Sequence, residues 1–154
     1  MSTICYTIVV DENTSGNLDH VTKVVHEIVN DKKYSGFVFE QVTFQEWLVL
    51  RQSEFKDRAF LIRLSTEDTI EKICQFTGLS CADTIRGTIF LNETNWNKGD
   101  EIYKQHVVAH EIAHLLGFGH STCSGIGNMG SVTQEFTRLG WQGCIPTRYI
   151  NLPN

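Results

Sequence analysis

The sequence predicts a single domain of the α+β class. Three observations carry that expectation: short segments alternating apolar and polar residues, apolar residues at helical spacing between them, and a histidine-bearing helix closed by Gly117. No repeat, low-complexity tract or linker interrupts the chain, so one domain is expected over residues 1–154.

The elements follow in order. Thr3 to Val10 alternates as a strand with Ile4, Tyr6, Ile8 and Val10 on one face, and a polar loop through DENTSGN comes next. Leu18, Val21, Val25 and Ile28 repeat at helical spacing, with Asn17 as the candidate N-cap. Phe37 to Phe44 and Phe60 to Leu64 read as strands. Ser65 with Asp68 three positions on reads as a capping box for a short helix carrying Ile70, Ile73 and Phe76. Thr88 to Leu91 is a further strand. Asp100 is placed to cap the histidine helix, whose Val108, Ile112 and Leu115 would face the core opposite the polar residues.

Composition narrows the function classes. A chain of 154 residues buries about two-thirds of its unfolded surface, and 41% hydrophobic residues suffice for a core. The net charge of -5 offers no basic patch for phosphates, so nucleic acid is not an expected partner. No apolar run approaches the roughly 20 residues that span a bilayer, and Met1 to Val10 lacks the basic start and long apolar stretch of a signal peptide. Either the protein is cytosolic or the chain is a trimmed mature domain.

The chemistry lies in HEIAHLLGFGH, His110 to His120. His110 and His114 are four apart, so on a helix both imidazoles leave the same face and can hold one metal ion. Glu111 stands beside the first of them, where a carboxylate can take a proton from a metal-activated water. Gly117 can adopt a left-handed backbone, end the helix and bring His120 in as a third ligand. Three neutral histidines leave a tetrahedral position open, which is the arrangement of a catalytic zinc site. A bare HExxH arises by chance on ordinary helices, but Gly117, His120 and Met129 in register favour a real zinc site. A non-catalytic zinc site or a degenerate enzyme is the alternative, and no residue of the core motif is missing.

HExxHxxGxxH followed by Met129 resembles the metzincin metallopeptidases, whose active-site helix is followed by a turn with a methionine beneath the metal. Over FLIRLSTEDTIEKIC, GTIFLNETNW, HVVAHEIAHLLGFGHSTCSG, GNM and GWQGCIPTRY the chain is also similar to small metzincin-like domains found mostly as secreted or envelope-attached proteins of actinobacteria. The resemblance implies a zincin-like fold: a twisted mixed sheet with a backing helix and an active-site helix, an upper subdomain of about residues 1–117, and a very small irregular lower one of about 118–154. It implies an edge strand along the cleft that pairs with an extended peptide, for which Phe60 to Leu64 is the candidate. Residues 130–133 would resemble the wall of the pocket beyond the cut bond, and Met129 an apolar floor. Some metzincins carry a tyrosine two residues past the methionine; here that position is Ser131, and Tyr149 is a candidate substitute, although a packing or surface role is the simpler reading.

The resemblance also implies disulfides Cys74–Cys81 and Cys123–Cys144, with Cys5 unpaired. Four cysteines allow three pairings, and reduced thiols remain the alternative. The glycine-rich segment beyond Gly119 cannot build its own core, and a bridge there would stabilise by about 3 kcal/mol. Such bridges imply an oxidising compartment, hence an extracellular or cell-envelope location in preference to a cytoplasmic one. Cys123 as a zinc ligand would close the open site, which disfavours it. Cys5 reads as a strand residue pointing into packing, with a thiol that blocks the zinc in a latent form as the alternative.

The expected activity is hydrolysis of peptide bonds by a zinc-activated water, with Glu111 as general base and then acid and the metal stabilising the oxyanion. The expected partner is an extended peptide or protein substrate of a monomeric enzyme. A zinc amidase or deacetylase acting on cell-wall or other non-protein amides, and a zinc-containing binding module, are the alternatives. His106 extends the His110/His114 stripe by one turn but is excluded from the ligand set, as a neighbour of the site or a solvent-facing residue. His20 and His26 have no metal partner nearby in sequence, and Trp47, Trp96 and Trp141 are expected as packing anchors.

Overall fold

A computed structural model describes residues 2–30, 36–74 and 80–117. Strand β1 (Ser2–Val10) alternates as expected: Ile4, Tyr6 and Ile8 are buried and Val10 packs beside them. Helix α1 (Leu18–Val29) begins where Asn17 Oδ1 accepts the His20 N–H at 3.1 Å, and Val21, Val24, Val25, Ile28 and Val29 form its buried stripe. Each such aliphatic side chain stabilises the fold by roughly 1.5–3 kcal/mol on burial.

The next segment departs from the expectation. Strand β2 is only Phe37–Gln41, because Thr43 caps a helix α2 (Phe44–Arg51). The Thr43 hydroxyl accepts from the Glu46 N–H at 3.1 Å and the Glu46 carboxylate accepts from the Thr43 N–H at 3.2 Å. That reciprocal pair is a capping box, which fixes the chain in a helix where Phe44 would otherwise continue a strand.

Strand β3 (Ala59–Ser65) and helix α3 (Glu67–Cys74) follow. Thr66 takes the capping role expected of Ser65, its hydroxyl accepting the Thr69 N–H at 3.3 Å. Ser65 is the last strand residue and fully buried, so its hydroxyl needs a partner; it donates to Asp11 at 2.8 Å. The same carboxylate receives Arg63 through Nε at 3.0 Å and Nη2 at 2.9 Å. Strands β4 (Cys81–Asp83) and β5 (Thr88–Asn92), a short helix α4 (Glu93–Lys98) and helix α5 (Glu101–Leu115) complete the described chain.

The sheet is five-stranded in the order β2-β1-β3-β5-β4, with every neighbouring pair parallel except β4 and β5. This corrects the placement of Phe60–Leu64. That segment lies in β3, hydrogen-bonded to β1 on one side and β5 on the other, so it is central, and the antiparallel edge is β4. Parallel strands need crossover connections that cover both faces. Accordingly α1 and α5 close the main core on one face, while Trp47 of α2 packs on Ala59 and Leu61, and Ile70 of α3 packs on Phe90, on the other. Beyond the expected helices behind the sheet, α2 and α3 supply a second layer.

Cys74, the last residue of α3, is disulfide-bonded to Cys81, the first of β4. Cys5 is half-buried and free, and strand alternation puts it on the face away from α5. With the sheet between them, its thiol is not a blocking group for residues on α5. Burial first, then the carboxylates of Glu40 and Glu46, push that thiol above its ordinary range, the reverse of a reactive thiolate. Cys123 and Cys144 lie outside the described residues, as does everything expected of the lower subdomain.

Candidate metal centre

Helix α5 is built to hold polar side chains in a dry place. Asp100 Oδ1 accepts the Tyr103 N–H at 2.8 Å and starts the helix. Val107, Val108, Ala109, Ile112 and Ala113 are all but inaccessible and belong to the main core, with Leu115 packed at its margin. The helix packs against α1, β4 and β5. To α1 it is also tied by Gln105 Nε2 donating to Glu27 at 2.8 Å and by His20 Nε2 against Glu101 at 3.1 Å.

Within this apolar setting His106, His110 and Glu111 are buried, and His114 is half-buried. The four-residue spacing works as expected: the His110 and His114 Nε2 atoms lie 3.0 Å apart, with the rings edge-on at 4.6 Å between centroids. Two nitrogens at about 2.0–2.1 Å from one tetrahedral ion would be about 3.3 Å apart, so the pair fits zinc with a shift of a few tenths of an ångström. As neutral imidazoles the two rings can also share one N–H between them. Their donor type suits zinc.

Glu111 is 2% exposed, and burial pushes its carboxyl up to about 8. Taking a carboxylate out of water disfavours the charged form, so in this setting Glu111 holds its proton through neutral pH. A cation next to it would reverse that preference, which is the condition for a carboxylate that accepts a proton during a reaction.

Gly117 has φ +101°, the left-handed region that only glycine adopts at no steric cost, so the helix ends where the spacing predicts. His120, the third expected ligand, lies outside the described residues; so do Met129, residues 130–133, Trp141 and Tyr149. Among the described residues no set of three or more His, Cys, Asp or Glu side chains converges on a single ion position, and the described part of the centre is the His110/His114 pair.

His106 is fully buried, which removes the solvent-facing alternative, and its ring stands 6.0 Å from that of His110 at a 38° tilt. His20 packs edge-on to Trp96 at 6.1 Å, and His26 Nε2 meets Gln41 Oε1 at 3.0 Å, so neither reaches the pair. Trp47 and Trp96 are buried packing anchors.

One element beside the centre escaped the sequence reading. Strand β4 packs against α5 and forms the antiparallel edge of the sheet. Its signal was Asp83, whose Oδ1 accepts from the Ile85 and Arg86 N–H groups at 3.1 and 3.0 Å and turns the chain into Gly87, at φ +62°.

Fold and site together define an α+β domain with a five-stranded, mostly parallel sheet and a histidine-bearing helix buried against it. No match was found among curated proteins or among solved structures. A family model described as "protein of unknown function (DUF3152)" matches residues 3–139, and the chain belongs to that family. No helix of the described residues is long and apolar enough to cross a membrane.

Proposed function

We propose that the chain is a zinc-dependent endopeptidase of metzincin type. The observation that carries this is the apposition of His110 and His114 nitrogens at 3.0 Å, beside a Glu111 that is shielded from water. His120 would complete the ligand set from the small segment 118–154, and the centre would then keep an open position. Zinc, when bound, supplies a Lewis acid that polarises a carbonyl and brings the pKa of water toward 7.

Glu111 accepts the proton of the attacking water and returns it to the leaving amine. Its enclosure by the core keeps bulk water from competing for that proton. The role of pairing with extended substrate moves from Phe60–Leu64 to β4, the antiparallel edge strand, which packs against α5. The disulfide at Cys74–Cys81 and the absence of a membrane-crossing helix among the described residues are compatible with an extracellular or envelope location, which completes the reading, with a monomer as the working unit.

The test is turnover of casein and of a peptide library by zinc-loaded protein, beside the Glu111→Gln variant. Expected is cleavage by the wild type, and retained zinc with a loss of about 10⁴ in the variant, the upper end of general-base effects because the same group serves twice. A variant that cuts at near wild-type rate overturns the assignment of Glu111. A zinc-loaded wild type that cuts no peptide but releases amine from cell-wall material moves the reading to an amidase.

A further inference from the structure

We infer that the Cys74–Cys81 bridge is a redox-sensitive lock on β4, so that opening it lowers turnover of extended peptides while leaving the His110/His114 pair in place. The inference rests on the endopeptidase reading, which makes β4 the substrate-pairing edge.

Strand β4 is three residues long and pairs only with β5 among the described residues. So short a strand has few main-chain hydrogen bonds of its own, so its ends and its packing on α5 contribute to its position. At the far end Asp83 holds the turn through the Ile85 and Arg86 N–H groups and the Arg86 guanidinium. At the near end Cys81 is tied to Cys74, the last residue of a helix anchored by the fully buried Ile70. The far end is therefore fixed by hydrogen bonds, and the near end by one hydrogen bond, the buried Ser80 hydroxyl accepting the Asn92 N–H at 2.9 Å, together with a bond that chemistry can open.

The bridge and the metal pair sit in different side-chain clusters, although the backbone of β4 packs against α5. Cys81 packs with Ile70 and Phe90 in a small cluster of its own, whereas α5 belongs to the main core on the opposite face of the sheet. Cys74 is half-buried, so a reductant's thiolate can reach the bridge there. Attack on the Cys74 sulfur breaks the S–S bond and forms a mixed disulfide, and the Cys81 sulfur leaves and takes up a proton. The second thiol of a dithiol reductant then displaces Cys74, which is protonated in turn, and the reductant departs as a disulfide with two electrons given up.

The experiment uses the full chain. Amide exchange at Ala82 and Asp83 is compared between oxidised protein and protein reduced by a dithiol; activity is compared between wild type and Cys74→Ala/Cys81→Val, which keeps an apolar side chain between Ile70 and Phe90 and avoids a reductant that chelates zinc. Expected are faster exchange on reduction and, in the variant, unchanged zinc content, unchanged hydrolysis of a short chromogenic amide, and kcat/KM for an extended peptide lower by about tenfold, the equivalent of one or two lost main-chain hydrogen bonds. Equal exchange in both redox states, or an extended-peptide kcat/KM within twofold of wild type, overturns the lock. A wild type that cleaves no peptide sinks the endopeptidase reading, and the exchange data then decide the lock by themselves.

Discussion

Replacing Glu111 by Gln in metal-free protein changes how stability depends on pH. The carboxyl is raised by burial from 4.5 to about 8, so the folded state binds its proton more tightly than the unfolded state does. Between these values the unfolded chain has released the proton and the folded chain has kept it. Stability from this group is therefore fully present below pH 4.5 and is lost as pH rises toward 8. The gap is worth at most about 5 kcal/mol, at 1.36 kcal/mol per pH unit. For a chain of this size that is a fall of about 10–20 °C in midpoint temperature. Glutamine fills the same space and does not titrate, so the variant lacks this slope, and subtracting it from wild type removes the contributions of the neighbouring histidines. Thermal unfolding of chelator-treated protein at pH 5, 6, 7 and 8 measures the difference. A wild-type minus variant difference that stays flat across that range refutes the burial argument.

Two further outcomes are expected. His110→Ala, His114→Ala and His120→Ala should each sharply lower zinc content by elemental analysis, whereas His106→Ala should keep one zinc per chain and lower the thermal midpoint, because its ring is fully buried; full zinc in His120→Ala would point to a different third ligand, with Cys123 the first to test. Non-reducing peptide mapping should find Cys74 linked to Cys81 and Cys123 linked to Cys144, with Cys5 unlinked, and five reduced thiols in freshly isolated protein would remove the extracellular placement.

What was legible in the sequence was local. Asn17 and Asp100 cap their helices as expected, Ile4, Tyr6 and Ile8 alternate into the core, and Gly117 takes the left-handed backbone, because each depends on neighbours within a turn or two. His110 and His114 met for the same reason: four residues on a helix is a fixed geometry. What was not legible was pairing. Phe60–Leu64 is a near-continuous apolar run, broken only by Arg63, and its partners Tyr6–Val10 and Thr88–Leu91, distant in sequence, put it in the middle. Helix α2 was readable, since Thr43 and Glu46 have capping-box spacing, but the apolar Phe37, Phe39 and Phe44 masked it as strand. The burial of His106 depended on how closely α1 and the sheet enclose α5, which no local pattern reports.

The way α5 is embedded bears on how the protein would acquire its metal. In a zinc finger the ion organises the chain, and removing it unfolds the domain. Here the helix carrying His110 and His114 is seated by Val107, Val108, Ile112 and Ala113 before any ion is needed. Chelation and reloading should accordingly be a cycle between two folded species. The strength of metal capture then depends on how little these rings must reorganise, a quantity set by aliphatic packing several residues away from the nitrogens themselves.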